Sequence, residues 1–166
     1  MFVTQLTYIC ICFIMVLYVK SRMQKGNVSM SENVNVCEYI ESNCVHVEAD
    51  CFDLEQIMES GQCFRIYELS LQEQEKLCKS KGLENCESMA WYRVMAADKK
   101  VFVCQNGVHL IFFCSKEEYK QFWCHYFDLD FDYRSYEKAI DADDNYLKSA
   151  FAYGKGIRIL NQDPWE

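Results

Sequence analysis

The chain predicts an α+β fold: an antiparallel sheet with packed helices, followed by two short helices. Three observations carry that prediction. Ser88 to Cys114 breaks into three runs rich in β-branched and aromatic residues, which suit a pleated, half-buried surface. Ser115-Lys116-Glu117-Glu118 has the capping-box pattern that opens a helix. Beyond Asp132 the pattern turns to short helical segments with Asp caps and a Gly stop.

Composition bounds the rest. The chain has 166 residues, 51% of them hydrophobic, enough for one sizeable core and a small appended element. Its net charge of −8 argues against a surface devoted to phosphate, because nonspecific DNA affinity comes from Lys and Arg. The 11 cysteines show no C-x-x-C pair and no zinc spacing, so no metal or other cofactor is expected. Their scatter through strand patterns fits free thiols in a reducing cytosol rather than a disulfide framework.

At the start, Leu6 to Val19 is an apolar run, short of the roughly 20 residues of a membrane span. Residues 1–22 are open to three readings: an extension ahead of a true start at Met23 or Met30, a membrane anchor held by Lys20 and Arg22, or a processed signal. Residues 23–43 read as a flexible lead-in, and Cys44 to Val47 as a short strand. Asp53 can cap one helical turn, Leu54 to Met58, which Ser60-Gly61 stops before Cys63 to Tyr67 runs extended. Leu71 to Glu87 is rich in Glu, Gln and Lys with few apolar anchors. It reads as an exposed connection with one helical turn.

The three strands come next, divided by Asp98-Lys99-Lys100 and by Asn106-Gly107. The Asn-Gly pair predicts a type I′ hairpin, since both residues tolerate positive φ. In the last strand Val108, Leu110, Phe112 and Cys114 alternate with His109, Ile111 and Phe113. Both faces are apolar and both should be covered. On the following helix Tyr119, Phe122, Trp123 and Tyr126 recur at i, i+3, i+4 and i+7, an aromatic face that should pack across the sheet.

Phe127 to Asp132 reads as a loop leaving the sheet domain, followed by helices over Tyr133 to Ile140 and Asn145 to Tyr153, the second capped by Asp143 or Asp144. Gly154-Lys155-Gly156 reads as a helix-to-turn link, because two glycines without a wider phosphate motif do not make an anion loop. At the end, Asp163, Pro164 and Glu166 hold the cap, first-turn and capping-box positions of a further helix. On that pattern the chain is expected to be the front part of a longer design.

Three segments in this order, Glu59-Ser60-Gly61-Gln62-Cys63-Phe64-Arg65, Tyr126-Phe127-Asp128-Leu129-Asp130 and Tyr153 to Glu166, resemble the amino-terminal part of 8-oxoguanine DNA glycosylases. The resemblance covers Cys44 to Glu166; it departs at Ile66, where the family usually has Trp. It implies a TATA-binding-protein-like sheet domain over residues 44–130. Residues 131–166 would then begin a truncated helix-hairpin-helix catalytic domain.

The implied reaction is excision of oxidised guanine from double-stranded DNA, with the nucleotide flipped into a pocket. A lysine amine attacks the sugar and an aspartate assists. Neither residue has a counterpart here, and Lys148 and Lys155 do not match the catalytic motif. The catalytic set in this chain is therefore none, and by itself the chain is expected to be inactive. One binding position carries over: Gly61, whose carbonyl would meet the hydrogen on N7 of the oxidised base. Gln62 and Phe64 are expected to hold that turn in place. A cytoplasmic, nucleoid-associated protein follows. Two rival readings are a non-catalytic interaction module or lobe complementing a separately encoded catalytic chain, and a small protein anchored to a membrane through residues 6–19.

Overall fold

A computed structural model describes residues 40–41, 44–81 and 89–163. The readings placed on Leu6 to Val19 and on Pro164 and Glu166 lie outside the described residues. Six antiparallel strands form one sheet in the order β1-β2-β6-β5-β4-β3: β1 (Ile40–Glu41), β2 (Cys44–Glu48), β3 (Ile66–Glu68), β4 (Ala90–Ala96), β5 (Lys99–Asn106) and β6 (His109–Phe112). The end of the expected lead-in thus supplies an edge strand, with Ile40 paired to Val45. Among the described residues no helix is long and apolar enough to cross a membrane.

Both hairpin turns sit one residue away from the boundaries read in the sequence. Asn106 pairs with His109, so the loop is Gly107-Val108, with positive φ at Gly107 alone. That is the requirement of a type II′ turn, in place of the type I′ turn expected at Asn106-Gly107. Glycine accepts the left-handed conformation more readily than asparagine does, and it takes the first loop position. Likewise Ala96 pairs with Lys99, so Lys99 and Lys100 belong to β5 and the loop is Ala97-Asp98.

The main core lies on one face of the sheet. Val45, Val94, Val103, Leu110 and Phe112 meet Leu54 and Ile57 of α1 (Leu54–Glu59) and the aromatic helix. That helix runs through α2 (Lys116–Glu118), a π-helical turn (Tyr119–Trp123) and α3 (Cys124–Tyr126). The extra residue in the π turn shifts the buried stripe. Tyr119, Trp123, Tyr126 and Phe127 are buried, while Phe122 is only partly so. Ser115 caps the helix by accepting from Glu118 N at 3.1 Å. The Glu118 carboxylate accepts from the Trp123 indole N–H at 2.8 Å.

The opposite face is covered as well, by a segment read as an exposed connection. Leu71–Lys81 is an 11-residue helix, α4, whose Leu77 and Cys78 pack with Leu69, Trp91, Cys104, Ile111 and Phe113. Its start was legible after all: Ser70-x-x-Glu73 is a capping box, with Ser70 N donating to Glu73 Oε2 at 3.0 Å and Glu73 N to Ser70 Oγ at 3.4 Å. Cys78 is disulfide-bonded, against the expectation of free thiols; Cys51, Cys63, Cys104, Cys114 and Cys124 are free. Burial pushes the Cys104 and Cys114 thiols up to about 12.

Phe127 to Asp132 does not leave the sheet domain as expected. Phe127 and Leu129 are buried in the main core. Asp128 takes a positive φ of 52° that turns the chain back. Two helices follow, α5 (Arg134–Ala139) and α6 (Asn145–Tyr153), the latter capped by Asp144 accepting from Leu147 N at 2.8 Å and ended at Gly154.

Candidate functional site

The site is the turn that ends α1, together with the extended segment laid against it. Asp53 caps α1 by accepting from Gln56 N at 3.1 Å. Gln105 of β5 fixes the helix to the sheet, accepting from Leu54 N at 2.9 Å and donating to the Phe52 carbonyl at 2.8 Å. At the other end Ser60 caps by backbone and side chain, its hydroxyl donating to the Ile57 carbonyl at 2.6 Å. Gly61 then adopts φ of +74°, the left-handed conformation that closes a helix and that glycine takes without a Cβ penalty.

Gly61 is exposed, and a Cβ built on it would meet nothing within 4 Å. Among the described residues no donor takes its carbonyl. The turn therefore presents a lone acceptor on a fixed backbone to whatever approaches from outside.

Gln62 braces the turn from behind. Its Nε2 donates to the Arg158 carbonyl at 2.9 Å and to Ser60 Oγ at 3.0 Å, and its Oε1 accepts from Leu160 N at 3.0 Å. Its own carbonyl accepts from Gln162 Nε2 at 2.9 Å. One side-chain amide thus satisfies an acceptor and a donor two residues apart, as a neighbouring β-strand would. Gly156 completes the seam. Asp53 N donates to its carbonyl at 2.9 Å, its N–H reaches Gln56 Oε1 at 3.2 Å, and a Cβ there would collide with that of Asp53. Gly156 serves close approach, in keeping with the plain link read from the sequence.

Phe64 does not behave as expected. It stands 85% exposed, so among the described residues its side chain does not brace the turn. The following residue to turn inward is Ile66, in the main core and paired with Val94. The supports that residue-level reading missed are Arg158, Asn161 and Gln162. Asn161 N donates to the Tyr126 carbonyl at 2.9 Å, and its side chain to the His125 carbonyl at 2.7 Å. Lys148 and Lys155 remain outside this arrangement; Lys148 bonds the Ala142 carbonyl.

The profile of the 8-oxoguanine DNA glycosylase N-terminal domain matches residues 44–166. No curated protein matches the chain. Among solved structures, it is similar to MBOgg1 in complex with a low-affinity DNA ligand, at 30% identity and a TM-score of 0.61 over 80% of this chain and 40% of that one. It is equally similar to the Clostridium acetobutylicum 8-oxoguanine glycosylase/lyase. The apo form gives 30% identity and a TM-score of 0.60 over 77% of this chain and 39% of that one. The complex with double-stranded DNA containing cytosine opposite 8-oxoG gives 30% and 0.59 over 77% and 38%. The chain thus spans about two fifths of the length of these proteins. With the profile covering most of its length and the same lobe recovered in three solved structures, the chain belongs to the 8-oxoguanine DNA glycosylase family, in its N-terminal domain.

Proposed function

We propose that this chain is the N-terminal part of a DNA repair glycosylase and AP lyase that excises 8-oxoguanine from double-stranded DNA, and that Gly61 reads the lesion. The observation that carries the reading is the exposed Gly61 carbonyl, without a partner among the described residues, on a positive-φ turn braced by Gln62. Oxidation places a hydrogen on N7, which that carbonyl accepts. Ordinary guanine offers a lone pair there, leaving two acceptors face to face at a cost of about 1–3 kcal/mol. Gln62 supports the turn through Arg158 and Leu160, and Phe64 is left free to meet the ligand side.

In this reading residues 44–130 are the sheet lobe and 131–166 begin the helix-hairpin-helix domain. No residue of these 166 matches the family's lysine nucleophile or aspartate, so excision in this reading depends on the family's helical lobe. The cell compartment proposed is the cytoplasm, at the nucleoid.

The test mixes the purified chain with the helical lobe of a family member and measures excision from 8-oxoguanine and guanine duplexes. Alone, the chain should give no borohydride-trapped adduct. With the lobe, 8-oxoguanine should be removed selectively. Gly61→Ala, which strains the backbone by about 1–2 kcal/mol, should lower 8-oxoguanine removal by roughly tenfold. Equal removal of both bases by the wild-type mixture would end the assignment of Gly61.

A further inference from the structure

Arg158 is the charged side chain that the described part of the fold buries, at 4% exposure. Among the described residues, all the hydrogen bonds of its side chain go to main-chain carbonyls rather than to carboxylates. Nε donates to Cys51 at 3.1 Å, one terminal nitrogen to Asp128 at 2.6 Å and Phe131 at 3.1 Å, and the other to Asp50 at 2.9 Å. The guanidinium also lies 4.5 Å from the centre of the Tyr133 ring and 5.9 Å from that of Phe52. A planar cation with a rigid fork of donors can be solvated this way, by dipoles and ring faces in place of water.

Two of the carbonyls it grips come from residues under backbone strain. Cys51 and Asp128 both hold positive φ, 54° and 52°, without being glycine, a conformation that persists only where the surroundings over-determine it. The fork closes on both. The same residue's main chain then faces the other way: the Arg158 carbonyl accepts from Gln62 Nε2, and Leu160 N donates to Gln62 Oε1. Gln62 is peptide-bonded to Gly61. A continuous path of directional bonds therefore runs from the buried cation to the exposed carbonyl.

We infer that Arg158 is a positioning residue for the Gly61 carbonyl: its guanidinium pins the main chain at 158–160 to the turns at 50–51 and 128–131, and Gln62 passes that placement to the neighbouring peptide. The importance of this for the lesion rests on the reading of Gly61 above, but the coupling can be measured without DNA. Lysine keeps the charge at position 158 and loses the fork, since one ammonium cannot reach carbonyls on three sides.

The experiment is amide hydrogen exchange on the full chain and on Arg158→Lys, Gln62→Ala and the double variant. Arg158→Lys should speed exchange at Gly61 and Gln62 about tenfold, the effect of one lost hydrogen bond, with β4 and β5 unchanged. The double variant should exchange there no faster than Gln62→Ala alone, because both changes cut one path. Additive effects, faster exchange confined to 157–160, or faster exchange spread into β4 and β5 would each overturn the inference. Should Arg158→Lys not fold, Gln62→Glu decides. It can still accept from Leu160 N but cannot donate to the Arg158 carbonyl, so exchange should rise at 61–62; unchanged exchange would refute the coupling. Indifference of the wild-type mixture to 8-oxoguanine would remove the lesion reading and leave this coupling standing, whereas unaltered exchange would do the reverse.

Discussion

Trp123 and Arg158 are buried almost equally, at 0% and 4% exposure, and they hold the molecule by different means. Trp123 sits among Tyr126, Phe122 and Phe127 with ring centres 5.7, 4.8 and 6.2 Å away. One directional bond, to Glu118, aims it. Its contribution is chiefly area removed from water, which is large but tolerant of small shifts. Arg158 contributes little apolar area and fixes two turns, at 50–51 and 128–131, through bonds that fail when moved by an ångström. The sheet core decides whether the chain folds. The polar seam at 156–162 decides where the Gly61 carbonyl points.

Truncating the core should therefore cost the most and act globally. Trp123→Ala removes a fully buried side chain and leaves a cavity, for an expected loss of about 3–5 kcal/mol. Denaturant unfolding followed by far-ultraviolet circular dichroism checks it: the midpoint should fall with the slope unchanged. A change in slope, or a loss confined to the 60–63 turn, would break the separation between core and seam.

A change in the seam should cost less and stay local. In Gly156→Ala the new methyl runs into Asp53 Cβ, a fixed atom that cannot swing aside, so α1 and the link must part. Overpacking of this kind costs about 1–3 kcal/mol. Thermal melting gives the total, and faster exchange at residues 53–56 and 62 places it. A variant as stable as the wild type would show that the seam is softer than its hydrogen bonds imply.

The two regions also differed in how far the sequence disclosed them. The core announced itself through period and caps: the alternation of Leu110 and Phe112 with Ile111 in β6 and the Asp53 cap with its Ser60-Gly61 stop matched the structure, while the aromatic recurrence after Ser115 held at Tyr119, Trp123 and Tyr126 and slipped at Phe122, which the π turn replaces with Phe127. Turn positions slipped by one residue because propensity identifies which residues tolerate positive φ, and strand pairing selects the one that adopts it. The helix from Leu71 was missed because its apolar stripe is thin, Leu77 and Cys78 sufficing against a face that Trp91 and Phe113 already fill by stacking at 5.3 Å. The seam was nearly silent. The binding role of Gly61 and the support from Gln62 entered only through a family resemblance, and nothing local distinguishes an Arg between two isoleucines from a surface cation. The one available hint was that Ile157-Arg158-Ile159-Leu160 has no polar neighbour to keep the guanidinium in water. Residues whose partners lie about 100 positions away, as Gln62 and Arg158 do, carry no periodic signature.

The smallest expected effect belongs to the cover of the second face, and it is a dependence on pH. Bonds from the Ser70 hydroxyl and then the Ser70 backbone N–H hold the Glu73 carboxyl below its ordinary value of 4.5. A depressed folded value means that the unfolded chain binds the proton more readily, so this contribution is complete above the unfolded value and is lost as pH falls through the folded one. The first turn of α4 should therefore fray at pH below the ordinary glutamate range, as the Ser70 N–H loses its charged acceptor, while the aromatic helix, capped by the Ser115 hydroxyl with its Glu118 carboxylate turned to the Trp123 indole instead, keeps its protection. Exchange at Ser70, whose N–H the Glu73 carboxylate accepts, compared with Glu118 and Tyr119 across that range measures the difference. Glu73→Gln should abolish the pH dependence at α4, because an amide occupies the same place without titrating. If α4 and the aromatic helix lose protection together, the second face is not held separately by its cap, and the thin cover is cooperative with the core instead.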